Sequence, residues 1–383
     1  MNVLLSSFVH WWNAEAAYAA ILGQALMEAG HGVWVLTTPG TRNEEELRRR
    51  GLTIVTEIPS ATVSPWRWGQ TVQALRAFQA RERIDVVNVF RSQEFPLHVL
   101  AARGSDGPAL VRTRGTDRPI RGGRLSTWLH RRGSVAHIAS SNIVRERMTT
   151  AFGLAPERIK VVYYPAEPSP AGNSPRPADI KKNFLKALGF SRDRMLLGIV
   201  GRLYPEKGHR FLLEAINILR MSHPEVLLVI LAKNAPGEDP ERPALEAMVI
   251  EKGLTDHVRF LNFREDVREL MKGMDIGVVP SISSEVNCRV VMEFFSGGTP
   301  VVAFPTGALP EVITDGETGL VTEDFSPEKL AAALKKLVED HALRKSMGKA
   351  ASGSAKGRFS GQRFLAETLA VYESAMAAKH SGS

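Results

Sequence analysis

Glu285 and Glu293 stand eight residues apart in Ser283-Ser284-Glu285-Val286-Asn287-Cys288-Arg289-Val290-Val291-Met292-Glu293, and Gly297-Gly298-Thr299-Pro300-Val301-Val302-Ala303 follows. A carboxylate only accepts hydrogen bonds, and the hydroxyls of a sugar or a ribose donate them. Residues 275–280 before the pair form a short apolar, β-branched run stopped by Pro, the pattern of a buried strand in a parallel sheet. Residues 290–295 have the pattern of a helix. The strand-to-helix turn of an open α/β sheet leaves backbone N–H groups to hold an anion. The two Glu residues would then bracket a ligand with hydroxyls at both ends and phosphate between. Spacing alone equally allows a solvated loop residue and a helix-surface residue.

A second segment points to the same ligand. Leu196-Leu197-Gly198-Ile199-Val200-Gly201-Arg202 has the pattern of another buried strand, and Leu203-Tyr204-Pro205-Glu206-Lys207-Gly208 turns into a helix at residues 211–215. Gly201 lets a ligand approach the backbone. Arg202 and Lys207 place a planar fork and a point charge at the strand's carboxyl end, which suits a diphosphate.

With these residues in place the chain resembles the donor-binding half of GT-B glycosyltransferases, specifically the large retaining family four. Asp256-His257-Val258-Arg259-Phe260-Leu261, Pro280-Ser281, Pro310-Glu311-Val312-Ile313 and Asp315-Gly316 with Thr318-Gly319-Leu320 extend the likeness over about residues 196–320; the N-terminal half is similar in layout only. The resemblance implies two doubly wound Rossmann-like α/β domains with a cleft between them. It implies that Arg202 and Lys207 bind the donor diphosphate and steady the charge of the leaving nucleotide, that Glu285 meets hydroxyls of the transferred sugar, and that Glu293 holds the ribose. Gly201, Phe263, Val286, Asn287 and Cys288 complete the donor-binding set. Two departures bear on donor choice: Val286-Asn287-Cys288 stands where the family usually has Pro-Phe-Gly, and Ala232-Lys233-Asn234-Ala235-Pro236-Gly237 replaces a Gly-rich turn.

At 383 residues the chain is long enough for two α/β domains with separate cores. The layout reads as an acceptor domain over 1–167, a Pro-rich linker over 168–180, a donor domain over 181–358, and a helix within 359–383 that returns to the first domain. Strands are expected at 1–7, 33–37, 84–90, 109–113 and 135–140, with a helix at 14–29 and a last one at about 361–377. No apolar run approaches the roughly 20 residues that cross a bilayer. Arg42 is the first basic residue, which argues against a signal peptide. Cys288 is the only cysteine, so no internal disulfide is possible and a cytoplasmic setting is expected; Cys288 itself reads as a small loop residue.

The net charge of +8 is unevenly spread. Residues 1–180 hold 22 Lys and Arg against 15 Asp and Glu, and residues 103–132 alone hold eight Arg against two Asp. All six Trp are in the same half. Basic and aromatic together fit an anionic amphiphile at a membrane surface better than nucleic acid, with an ordinary solvated basic face as the plain alternative. Acceptor-binding residues are sought on loops at the carboxyl ends of first-domain strands: His10, Trp11, Arg91, Arg114, Asp117 and Arg118. Arg114 could hold an acceptor phosphate and Asp117 an acceptor hydroxyl, or the two could simply pair. The family commonly has a His in place of Arg114 and a Gly-rich turn after the first strand, and this chain has neither.

The chain has no Asp-x-Asp pair to chelate a metal, so no metal or other cofactor is expected, and it has no Gly-x-Ser-x-Gly nucleophile turn. What the resemblance implies is a retaining transferase without a protein nucleophile. It would move a hexose-type sugar from a nucleotide diphosphate sugar to an anionic glycolipid or envelope polysaccharide precursor, such as a lipopolysaccharide core, at the inner face of the cytoplasmic membrane. The alternatives are an epimerase or phosphorylase of the same fold, or a nucleotide-sugar-binding protein that has lost transfer.

Overall fold

The computed structural model describes residues 1–381 apart from 60–66, 105, 117–119, 121–122, 135, 168–174, 233–238, 263 and 284. The chain divides into two compact units, Met1–Tyr164 with Gln362–Ser383, and Pro165–Gly361.

The first unit is built on seven parallel strands: β1 (Asn2–Ser6), β2 (Gly32–Leu36), β3 (Thr53–Val55), β4 (Val86–Val89), β5 (Ala109–Arg114), β6 (Ala136–Ala139) and β7 (Ile159–Val161). Their order is β3-β2-β1-β4-β5-β6-β7. Val3, Leu4 and Leu5 of β1 and Val86 and Val87 of β4 are fully buried, as a parallel sheet covered on both faces requires. The direction of winding reverses between β1 and β4, which pair from Val3↔Val86 onward. Helix Ala14–Glu28 follows β1, and the Asn13 side chain caps it by accepting from the Ala16 N–H at 2.9 Å.

The C-terminal helix, Gly361–Ser381, belongs to this unit from Gln362 onward. The Asn88 amide donates to Tyr372 Oη at 2.7 Å, and Lys379 Nζ donates to the carbonyls of Ala102 and Pro108 at 3.0 and 2.8 Å. The first of these bonds reaches the middle of the sheet, since Asn88 lies on β4 and is fully buried.

The second unit holds six parallel strands: β8 (Met195–Val200), β9 (Val226–Leu231), β10 (Val258–Leu261), β11 (Ile276–Val279), β12 (Val301–Ala303) and β13 (Gly319–Val321). Their order is β10-β9-β8-β11-β12-β13, so the winding reverses between β8 and β11. The carboxyl ends of two strands at such a reversal leave a crevice where ligands of open α/β sheets bind. Close packing under that crevice uses glycine: a side chain at Gly277 would run into Phe294, and one at Gly198 into Met274.

Strands β1, β2, β4, β5, β6, β8 and β11 fall where the sequence places them. Strands β3 and β7, three residues each, and β10, β12 and β13 are additions. Helix Pro177–Ala187 begins inside the stretch expected to be linker, with Pro177 at its first position, where a missing N–H costs nothing. The expected linker residues 168–174 lie outside the described residues. Among the described residues no helix is long and apolar enough to cross a membrane.

Candidate functional site

Three loops meet over the carboxyl ends of β8, β11 and β12. After β8 the chain makes a 3-10 turn, Pro205–Lys207, and Gly208 opens helix His209–Leu219 in the left-handed region at φ 71°. A Cβ at Gly208 would lie 1.8 Å from the Pro280 carbonyl, so only glycine lets the β8 loop rest on the β11 loop. The Ile282 N–H donates to the Glu206 carbonyl at 2.9 Å and ties the two loops together. The third loop supports the second. The Thr306 hydroxyl donates to the Ser281 carbonyl, the Ala308 N–H donates to the Glu285 carbonyl at 2.7 Å, and Gly307, at φ 58°, packs so that a Cβ would sit 2.1 Å from that carbonyl oxygen.

This clamp brings Lys207 and Glu285 together. Lys207 Nζ donates to Glu285 Oε2 at 2.7 Å, and Ser281 Oγ donates to the same oxygen at 3.2 Å. The Lys207 and Glu285 side chains are 25% and 14% exposed, so the pair is reachable yet mostly withdrawn from water, where charged hydrogen bonds are strong. Gly201, Lys207, His209, Ser281, Glu285 and Val290 line one small cavity of about 20 Å³. A far larger groove, about 970 Å³, opens at the amino ends of β8 and β11 beside Pro177, Asp193 and Asp275 and collects none of the expected site residues.

The other residues expected on the donor side differ in exposure and partners. Arg202 begins the β8 loop but is exposed and stacks over the Tyr204 ring at 4.7 Å from its centroid. Val286 and Cys288 turn their side chains inward, at 7% and 1% exposure, so what they can offer a ligand is backbone. Cys288 sits at φ 47°, a left-handed conformation at the position where the family usually has glycine. Burial, then the charges of Glu285 and Glu311, push its thiol pKa up, so it is a packed side chain and not a nucleophile. Helix Arg289–Gly297 starts directly behind it, with its first-turn N–H groups at the carboxyl end of β11. Glu293, 11% exposed, is held by Arg289 Nε at 3.0 Å, with Arg268 Nε at 3.9 Å. A ribose reaching Glu293 has to share it with two arginines. Phe263 lies outside the described residues.

On the first unit, His10 and Trp11 are exposed at the end of β1, and Arg91 Nη1 donates to the Phe8 carbonyl at 2.5 Å, joining the β1 and β4 loops. Arg114 is 6% exposed and burial lowers its pKa. An acceptor phosphate at Arg114 would have to reach a side chain that the protein largely covers. Asp117 and Arg118 lie outside the described residues. The basic stretch is likewise not one surface patch. Arg112 is buried on β5, its Nη1 donating to the Val89 and Phe90 carbonyls at 2.9 and 2.8 Å and its Nη2 to Ser92 Oγ at 3.1 Å, so it braces the β4 loop. Exposed Leu125 and Trp128 remain on the surface, with Arg103 5.8 Å over the Trp128 ring.

Three groups at these strand ends escaped the sequence reading. Glu94, 1% exposed with neither carboxylate oxygen hydrogen-bonded, is pushed up to about pKa 7 by burial against the pull of Arg91. His209 is buried beside Lys207. Thr306-Gly307-Ala308 backs Glu285, and its one sequence signal is Gly307 three residues before Pro310. Among the described residues no three His, Cys, Asp or Glu side chains gather as metal ligands.

Known proteins resemble the chain over both units. A model of the family described as Glycosyl transferases group 1 matches residues 180–353, and one described as Glycosyltransferase Family 4 matches residues 16–169. The D-inositol 3-phosphate glycosyltransferase of Corynebacterium jeikeium (strain K411) is 35% identical over 203 residues, 51% of this chain and 48% of that protein. The chain spans about half the length of the curated relatives it matches first. Three solved structures share the fold: a glycosyltransferase from Rickettsia africae ESF-5 (TM-score 0.85, 16% identity, 98% of both chains), Anabaena Alr3699/HepE in complex with UDP-glucose (0.77, 20%, 97% and 99%), and the lipopolysaccharide outer core galactosyltransferase WaaB (0.73, 15%, 99% and 100%). With one family matched over each unit and the Lys207–Glu285 clamp at the switch point of the second, the chain belongs to the GT-B glycosyltransferases of the group 1, family four type.

Proposed function

We propose that the protein is a retaining, metal-independent transferase that moves a hexose-type sugar from a nucleotide diphosphate sugar to an anionic glycolipid or envelope polysaccharide precursor at the cytoplasmic membrane surface. The observation that carries the donor half is the Lys207–Glu285 pair, 2.7 Å apart at the carboxyl ends of β8 and β11. A cation for a leaving diphosphate and a carboxylate for sugar hydroxyls stand side by side there, next to a helix N-terminus. When a donor enters, Lys207 turns to the phosphate and Glu285 to the sugar. The leaving diphosphate, steadied by Lys207 with Arg202 and the first-turn N–H groups of helix Arg289–Gly297, takes the acceptor proton on the same face of the sugar. Catalysis is then orientation and electrostatic stabilisation.

The UDP-glucose held by Alr3699/HepE supports a nucleotide-sugar donor. The inositol phosphate relative and the lipopolysaccharide transferase support an anionic, hydroxyl-rich acceptor. Exposed Trp128 and Leu125 beside Arg103 and Arg124 support contact with an anionic bilayer. A second reading, donor binding without transfer, draws on buried Arg114, which stands where the family commonly has a His. One assay separates the two: nucleotide release from a panel of UDP-, GDP- and ADP-sugars without added metal. Slow release with one of them is the expected result for a transferase. A donor that binds with no release, with or without lipid extract, contradicts it.

A further inference from the structure

His209 is the first residue of helix His209–Leu219, is 3% exposed, and has no hydrogen-bond partner at either ring nitrogen. An imidazole always carries a donor, an acceptor or both, and buried polar nitrogens without partners are rare. His209 is one of the residues that line the same cavity as Lys207, Ser281 and Glu285. That cavity, about 20 Å³, is the size of one water, which needs at least about 10–15 Å³ and two to four polar partners. The residues around it carry an imidazole, a hydroxyl, a carboxylate and an ammonium. Burial, and then the Lys207 charge, hold the His209 pKa down to about 4, so near neutral pH the ring offers one donor and one acceptor and does not repel Lys207.

We propose that His209 is a positioning residue of the donor site, whose ring, through one ordered water in this cavity, holds the Glu285 carboxylate and the Ser281 hydroxyl in place. The proposal rests on the donor-site reading above. When Lys207 leaves Glu285 for a phosphate, the carboxylate would lose its strongest bond and swing; the water held by His209 replaces that bond and keeps Glu285 aimed at the sugar. Gly208, which cannot be anything larger, sets His209 at the right height, because the left-handed turn and the contact with Pro280 fix where the helix begins.

The test uses the full chain as wild type, His209→Leu, His209→Gln and Lys207→Ala. Rates of nucleotide release are measured with whichever UDP-, GDP- or ADP-sugar gives the largest melting shift. His209→Leu, which removes the polar atoms at similar bulk, should lower kcat about tenfold with KM changed less than about threefold, as lost orientation does. His209→Gln, which keeps a donor and an acceptor, should retain most of the rate. Wild-type kcat in His209→Leu overturns the proposal, and so does an equal loss in both His209 variants, the mark of mere packing. Lys207→Ala separates the levels: if it runs at the wild-type rate the donor-site reading fails, and if it is inactive while His209→Leu is unimpaired only the role of His209 fails. A crystal structure that resolves waters decides independently, and alone if no donor in the panel turns over. One water within hydrogen-bond distance of His209 and of Ser281 or Glu285 is expected, and a dry cavity overturns the bridge.

Discussion

The Lys207 ammonium and the Glu285 carboxylate neutralise each other at 2.7 Å only until a better pair of partners arrives. Both side chains keep some exposure, so breaking the pair costs little stability, on the order of 1 kcal/mol, whereas charge stabilisation of a departing diphosphate is worth much more in catalysis. Lys207→Ala is therefore expected to cut donor turnover at least about a hundredfold while its melting point falls only a few degrees; urea titration alongside nucleotide-release kinetics checks both halves. Glu94 presents the opposite case, a carboxyl whose environment penalises charge. Its folded pKa, about 7, is above the ordinary value of 4.5. Its favourable contribution is thus fully present below about pH 4.5 and is lost as the pH rises through 7. Glu94→Gln, which imitates the protonated form, should raise the melting point at pH 8 and give no gain at pH 5, as calorimetry at the two pH values would show.

At the scale of elements, the site is a product of where loops are allowed to touch. Gly208 and Gly307 hold positive φ and lie against the backbone of Pro280 and Glu285, so alanine at either must move a neighbouring loop as well as adopt a left-handed turn, which alone costs about 1–2 kcal/mol. Gly353, inside helix His341–Lys356 with open space around its α-carbon, should gain about 0.5–1 kcal/mol as alanine. Denaturant midpoints of Gly307→Ala and Gly353→Ala should therefore move in opposite directions, and Gly307→Ala alone should lose donor turnover. The same elements show what could be read beforehand. Strands β8 and β11 and the loops after them were legible because buried parallel strands are continuous apolar runs and their loop residues lie close in sequence. Strands β3 and β7 were not, since three residues carry no usable period. The buried state of Arg112 and Arg114 was also hidden, because what buries them is contributed by chain segments distant in sequence, among them the β4 loop whose carbonyls Arg112 holds.

Over the whole molecule, buried titratable groups set the response to acid. His98, His137 and His209 have pKa values lowered to about 3, 3 and 4, in each case first by burial, and His130 is lowered further by burial and Arg112. Their folded values lie below the unfolded value of about 6.5, so the unfolded chain takes up more protons and stability falls as pH drops from 6.5 toward 4. Glu94 offsets one of the four between pH 4.5 and 6.5. The melting point should accordingly hold level near pH 7–8 and fall steeply below 6.5, with a smaller loss in His98→Asn than in wild type. The excess basic charge of residues 1–180 governs a different property. Binding to anionic vesicles should weaken as salt rises from 50 to 300 mM, because screening shortens to below about 10 Å, and Trp128→Ala with Leu125→Ala should lower it at every salt. Central to everything above is the donor site, and a thermal-shift screen of wild type, Lys207→Ala and Glu285→Gln against a panel of nucleotides and nucleotide sugars without added metal tests it most directly. A rise of several degrees for wild type with nucleotide sugars of one base, by mass action, and its loss in both variants are expected. A folded wild type that shifts with none of them, or shifts identically in all three proteins, would contradict the donor-site reading.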